Sequence, residues 1–310
     1  SVLYGRSGGG GVINMVTKFA NFESPSTIGA YAGSYENVGG TVDINKVLND
    51  NWAVRLVGEK SDTNSFRDGI GSNEEMISPS FTYRSDDERL LWTTEFTYDD
   101  LNRVPDRGPS YENLPDGTSI KMGFAQSGDY VEDVLKTART DVKYEFAPGW
   151  KFHWGLSHRE AEQNFDHFYL GSMCAADKTP TAKDKGCYKG YINQIYYWQQ
   201  TTNKTTANTW DISGEFTTGS LKHNVLVGTD WTYEQREPLL SNKNQDGSLI
   251  YGFVNPLTGD RFSNRGSGHV VTSHNYNEGT NYGLFLQDLI SFNDQIKMMV
   301  GARYDFYVAK

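Results

Sequence analysis

The chain lacks the marks of several common protein classes. No apolar run reaches the ~18 residues of a membrane-spanning helix. That absence leaves a transmembrane β-barrel open, because barrel strands alternate apolar and polar residues and look hydrophilic on average. A basic excess is missing too: 29 Lys+Arg stand against 39 Asp+Glu, a formal charge of −10. A surface built to neutralise nucleic-acid phosphates has the opposite sign. Two cysteines in 310 residues cannot frame a disulfide scaffold. Helical periodicity is scarce along the whole length. Aromatics and glycine, by contrast, are plentiful: Phe 16, Tyr 19, Trp 7 and Gly 32. An aromatic share of 14% excludes a disordered chain.

Period-two alternation takes the place of helical periodicity. Trp52, Val54 and Leu56 alternate with Ala53, Arg55 and Val57. Leu90, Trp92, Thr94, Phe96 and Tyr98 alternate with Leu91, Thr93, Glu95 and Thr97. Similar runs cover Val142–Phe146, Trp150–Leu156, Trp210–Phe216 and Ile296–Phe306. Each presents one apolar face and one face of charges and small residues, so one side meets an apolar medium and the other a wet one.

The connections fall into two kinds. Leu48–Asn51, Ser85–Glu88, Ala147–Gly149, Thr218–Ser220 and Asn293–Gln295 are short and carry Asn, Asp, Gly and Ser, the residues of tight reversals. Thr63–Glu74, Leu101–Thr137, Asn164–Asn203 and Glu237–Asn277 are long. Short turns at one end and long loops at the other are the layout of an outer-membrane barrel. Trp52, Tyr83, Tyr98, Trp150, Trp231 and Tyr304 sit where interfacial aromatic girdles would lie. A soluble sandwich or jelly roll with one solvated face is the rival, but its core does not require long loops at one end only. The expected fold is therefore an all-β transmembrane antiparallel barrel. About eleven strands are predicted, near 27–35, 40–47, 52–61, 76–83, 89–98, 138–146, 150–160, 206–217, 221–233, 282–292 and 296–307. An open edge in lipid leaves backbone groups unsatisfied, so further strands are expected from a longer protein of which this chain is a part.

The first residues read Ser-Val-Leu-Tyr-Gly-Arg-Ser-Gly-Gly-Gly-Gly-Val-Ile-Asn-Met-Val-Thr-Lys. A phosphate-binding loop would need Gly-Lys-Ser/Thr after its glycines, and none follows. A dinucleotide fingerprint would open a helix, whereas Val12–Thr17 is β-branched and strand-like. Four successive glycines suit close approach of backbones. With Leu3, Tyr4, Gly5, Gly10, Gly11, Ile13, Asn14, Thr17 and Lys18 in place, the segment resembles the end of the plug domain in TonB-dependent outer-membrane receptors. Tyr282–Asp288 with Val300–Asp305 is similar to that family's mid-barrel pair of strands, and the ferrichrome-type siderophore branch looks closest.

The resemblance implies a 22-stranded barrel with a plugged lumen. On that reading residues 1–22 end the plug and residues 23–310 form the first half of the barrel. It also implies active import of a ferric siderophore across the bacterial outer membrane, energised through TonB with its ExbB/ExbD complex. The ferric complex would be cargo, with no resident cofactor and no direct metal ligands. Outer-membrane lipid would be a partner and nucleic acid would not. Nothing is chemically transformed, so an enzyme is not expected, and no Gly-x-Ser-x-Gly elbow or zinc-like spacing of the six histidines argues otherwise. A haem, cobalamin or glycan receptor and a passive porin are the alternatives; haem import would favour a loop histidine such as His167, His269 or His274.

Cys174 and Cys187 fall in one long loop at a spacing that suits an intraloop disulfide, worth ~3 kcal/mol by loop entropy. Ferrichrome-type receptors carry a comparable bridge there. Candidate ligand contacts are sought in loops among aromatics and cations that could meet an organic shell and its oxygens. Arg103 and Arg107 lie on the Pro-stiffened stretch Asn102–Pro109, with Tyr111 beyond, resembling a segment of catecholate receptors. Phe168 and Tyr169, after Phe165 and before Cys174, are similar to aromatics of ferrichrome-type receptors, and Tyr251 and Phe253 occupy another family-like position. His153 is expected on a hydrated lumen face.

Overall fold

The computed structural model describes residues 16–108, 111–181 and 183–309. Leu3, Tyr4, Gly5, Gly10, Gly11, Ile13 and Asn14 of the plug-like motif lie outside the described residues, as does the Tyr111 side chain.

Strands β1 (Thr27–Gly33), β2 (Asn37–Val47), β3 (Trp52–Asn64), β4 (Gly71–Arg84), β5 (Leu90–Val104), β6 (Tyr130–Ala147), β7 (Trp150–Met173), β8 (Ile192–Thr218) and β9 (Leu221–Ser241) follow one another. Three short strands of one long loop come next: β10 (Tyr251–Val254), β11 (Arg261–Ser263) and β12 (Ser273–His274). The wall then continues with β13 (Asn277–Ser291) and β14 (Lys297–Ala309). The wall order is β1-β2-β3-β4-β5-β6-β7-β8-β9-β13-β14, with antiparallel neighbours throughout and β1 and β14 as its edges. These are the eleven wall strands expected from the alternation.

Side-chain parity divides the sheet into two faces. On the outer face near the short turns, the Trp52 ring lies 4.9 Å from Tyr83 and 6.1 Å from Phe81, and Phe81 meets Trp92 edge-on at 5.4 Å. Ile77, Phe96, Val227, Leu284, Leu286, Met298, Val300 and Phe306 stand exposed on the same face, as they must where lipid is the solvent. The inner face is polar and paired. Arg55 donates to both oxygens of Asp43 at 2.6 and 2.7 Å. His153 lies between Asp141 (2.8 Å) and Asp211 (2.6 Å) on the inner face. Arg303 bridges Asp230 and Asp305.

The segment before β1 is tied to the inner face of β2–β5. Thr17 donates to Glu95 at 2.7 Å, the Ala20 N–H to Ser80 at 2.8 Å, and Thr82 to the Ala20 carbonyl at 2.6 Å. Asn45 accepts from the Asn21 N–H and donates back to the Asn21 carbonyl. A hollow of about 400 Å³ opens beside this segment, lined in part by Lys18, Asp43, Glu59 and Ser78.

The strands differ from expectation at their upper ends. β5 runs to Val104, β6 starts at Tyr130, β7 continues to Met173 and β8 begins at Ile192. The hairpin of β7 and β8 stays paired from Trp150↔Gly214 up to Leu170↔Gln194. Alternation fades above the lipid band because neither face there must be apolar, yet the backbone keeps its ladder. Phe168 and Tyr169 are therefore strand residues and not loop residues. The remaining loop is closed by the Cys174–Cys187 disulfide, with Cα atoms 5.5 Å apart.

Gly228, on the inner face of β9, leaves no room for a side chain. A Cβ there would come within 2.4 Å of the Phe285 ring and 2.7 Å of the Trp210 carbonyl oxygen. Gly228→Ala in the full-length protein should lose about 1–3 kcal/mol through overpacking, read as a lower urea midpoint for loss of heat-resistant barrel migration on gels.

Candidate functional site

The upper ends of β5–β8 carry the densest cluster of aromatic and charged side chains, and strand parity sorts it. Phe165, His167 and Tyr169 share the inner face of β7, with Phe165 and Tyr169 stacked at 5.6 Å. Tyr197 of β8, directly opposite His167, closes on both rings at 6.0 and 6.2 Å. Asp166 and Phe168 point to the other face, where Phe168 meets Tyr196 at 5.0 Å.

Loop 105–129 lies over this rim. The Arg107 guanidinium sits above both Tyr169 (4.5 Å) and Phe165 (5.0 Å). Its side chain is exposed, and no acidic partner is found for it among the described residues. Nearby cations are matched: Arg103 pairs with Asp133 and Arg67 with Asp106, each at 2.6 Å. The inner rim thus presents one unmatched guanidinium on an aromatic platform, among the described residues. Phe165 beneath it is 5% exposed, so what the platform offers a ligand is the exposed guanidinium, able to meet an anionic oxygen, with the half-buried rings of Tyr169 and Tyr197 beside it.

Behind the platform is a buried polar hub that binds two loops to the wall. Arg265 donates to Asp129 (2.8 Å) and Asp166 (2.7 Å). The Tyr196 hydroxyl donates to Asp166 at 2.9 Å, and the Gln126 side-chain amide reaches Gln194 (2.6 Å) and the Phe253 carbonyl (3.0 Å). Burial raises the Asp129 carboxyl to about 6, against the N–H groups of Gln126 and Phe168 and the Arg265 charge, which favour its ionised form. Burial and the neighbouring Asp166 also push the Tyr196 hydroxyl well above its ordinary range. Burial holds His167 below the ordinary imidazole value. Apolar packing completes the hub: Met122 and Phe124 with Ile192 and Val254, and Phe168 with Tyr196 and Ile250.

Of the residues singled out in the sequence, Arg107 and Tyr169 come together on the platform. Arg103 is on the inner face of β5, held by Asp133. Phe168 is 1% exposed, packed within the hub on the face opposite Tyr169. Phe253, also 1% exposed, lies edge-on against Tyr188 at 4.7 Å. Tyr251 is half-buried on β10, its ring 5.8 Å from Phe253. Among the histidines, His167 is 1% exposed. His269 stacks on Tyr196 and Trp198, and His274 meets Glu237 at 2.7 Å. The sequence reading missed Tyr197 and the hub acids Asp129 and Asp166. Counting parity upward from His153 would have found Tyr197's partners on β7, had the strand been known to continue.

Comparison with known proteins fits this architecture. The model of the TonB dependent receptor-like β-barrel family matches residues 78–310. The chain belongs to that family. Its strands belong to the wall of a bacterial outer-membrane barrel. The Metal-pseudopaline receptor CntO of Pseudomonas aeruginosa (strain UCBPP-PA14) is 24% identical across 99% of the chain and 42% of that protein. The ferrichrome outer membrane transporter/phage receptor of Escherichia coli K12 is 23% identical across 99% of the chain and 43% of its own length. In fold, the ferric-catecholate import receptor Fiu of E. coli K12, closed form, superposes with a TM-score of 0.84 at 20% identity, covering 99% of this chain and 44% of that one. The chain spans less than half the length of these relatives.

The hub has a testable pH dependence. Asp129 is raised in the closed loops, so they bind its proton more tightly than the open chain does. Its contribution is present at low pH and is lost as pH rises from about 4 to about 6. Relative to Asp129→Asn, the wild-type loops should be about 1 kcal/mol more stable at pH 5 than at pH 7.5. Urea midpoints of loop unfolding at the two pH values measure the difference.

Proposed function

We propose that the whole protein imports a ferric siderophore across the outer membrane by TonB-dependent transport. In this reading residues 1–22 end a plug domain and residues 23–310 form the first half of the barrel wall. TonB and its ExbB/ExbD complex supply the energy from the inner membrane, and lipid solvates the outer face. The ferric complex is cargo carried intact and no resident cofactor takes part.

The single observation that carries this reading is Arg107, a charge without an acidic partner among the described residues, laid across Phe165 and Tyr169 on the inner side of the rim. Tyr169 and Tyr197 supply aromatic surface beside it, and Tyr111 and Tyr251 extend the proposed contact set along the loops. Arg103 belongs to it as a cation of the inner wall, while Phe168 and Phe253 support it from within the loop core. The names of the relatives, which speak of metal–pseudopaline, ferrichrome and ferric catecholate, agree with a chelated metal as cargo.

An unmatched guanidinium favours complexes that carry negative charge. Uptake by the full-length receptor in receptor-null cells should therefore rank an anionic ferric catecholate above neutral ferrichrome and cationic ferrioxamine B, and should vanish without TonB. Arg107→Gln should weaken binding of the preferred complex roughly 10- to 100-fold, the size of a lost charge-assisted hydrogen bond. Small-solute passage that is indifferent to TonB would identify a pore instead.

A further inference from the structure

We propose that His167 is the positioning residue for Arg107: it clamps segment 105–108 to the rim and so lays the guanidinium on its aromatic platform. The inference rests on Arg107 as a ligand contact, but its first test needs no ligand.

The clamp is a hydrogen bond between distant parts of the chain. His167 Nε2 lies 2.9 Å from the carbonyl oxygen of Pro105. A carbonyl only accepts, so Nε2 carries the hydrogen and Nδ1 is the bare acceptor nitrogen. Nδ1 is buried and has no hydrogen-bond partner among the described residues, so the ring's one direct hydrogen bond is to the Pro105 carbonyl. Pro105 stands two residues before Arg107, and its ring restricts the backbone there. Asp106, between them, is bound to Arg67 in the loop between β3 and β4. Residues 105 and 106 are thus tied to two separate parts of the rim. The Arg107 side chain then starts from a fixed point and loses less freedom when it settles on Phe165 and Tyr169.

The residue type matters on each edge of the ring. His167 is placed in the aromatic row, 5.6 Å from Phe165 and 6.3 Å from Tyr169. A flat ring with a donor at its tip satisfies both the row and the carbonyl. The charged groups around it are Asp129 before β6, with Oδ2 3.8 Å away, Arg107 above and Arg265 from the loop after β11; Asp166, its neighbour on β7, points to the opposite face. Burial, together with the two guanidinium groups, outweighs the backbone at Pro105 and Phe168 and holds the ring below the ordinary imidazole value, so the neutral ring is the form that clamps.

Two substitutions separate the clamp from simple packing. His167→Phe keeps an aromatic ring but removes the donor; His167→Gln keeps a donor able to reach the carbonyl. The first measurement is the rate at which trypsin cuts after Arg107 in the full-length receptor in detergent. We expect His167→Phe to be cut roughly 10-fold faster than wild type, with unchanged heat resistance of the barrel, and His167→Gln to stay near wild type. The second is affinity for ferric 2,3-dihydroxybenzoate as an anionic catecholate probe. His167→Phe should weaken it, and His167→Phe combined with Arg107→Gln should be no weaker than Arg107→Gln alone. Cleavage of His167→Phe at the wild-type rate overturns the clamp, as does additivity in the double variant. Accelerated cleavage with no binding of the probe by the wild-type receptor leaves the clamp standing and removes the ligand reading of Arg107 for that class.

Discussion

In hydrocarbon, a backbone N–H or C=O without a partner costs several kcal/mol, and no water is available to repair the loss. Every feature of this wall follows from meeting that demand with neighbouring strands. Antiparallel pairing requires reversals; those at one end are all short, while the long loops are confined to the other. Pairing also enforces strict alternation, so one choice of side for Trp52 or Phe96 fixes the side of Arg55 and Glu95. The polar lumen with its Arg55–Asp43 and Arg303–Asp230 pairs is the other half of the apolar exterior, and neither could be set independently.

Above the lipid the demand relaxes, since water can satisfy the backbone, but the ladder goes on. The upper part of the β7–β8 hairpin becomes a stiff support to which loops are attached by buried polar groups. Arg265, Asp129, Asp166 and Tyr196 hold those loops more by directed bonds than by apolar area. A polar hub of this kind is selective about geometry, because each unpaired member would carry a desolvation cost. That selectivity leaves Phe165, Tyr169 and Tyr197 on the lumen side beneath Arg107 while Phe168 is consumed in the hub.

The legibility of the sequence follows the same boundary. Where one face meets lipid, alternation from Trp52 to Leu56 or from Trp150 to Leu156 reads directly as strand, and the eleven wall strands were recoverable from it. Beyond Glu160, where Gln163, Asn164 and Asp166 stand among aromatics, composition resembles a loop and the continuing ladder is invisible. The pairing of Arg107 with Phe165 and Tyr169 was legible only as a shortlist of cations and rings. The contact of His167 with Pro105 was not legible at all, because it joins residues 62 positions apart through a carbonyl that every residue possesses.

The unbroken run of β7 has an evolutionary consequence. Phe168 and Tyr169 differ in role only because one is even and the other odd in a count that begins at the turn near Gly149. Losing a single residue between Glu160 and Asp166 would exchange their faces, placing a tyrosine in the loop core and a phenylalanine in the lumen, together with every side chain above. Length variation is thereby constrained: the strands can grow or shrink without scrambling the rim only in steps of two.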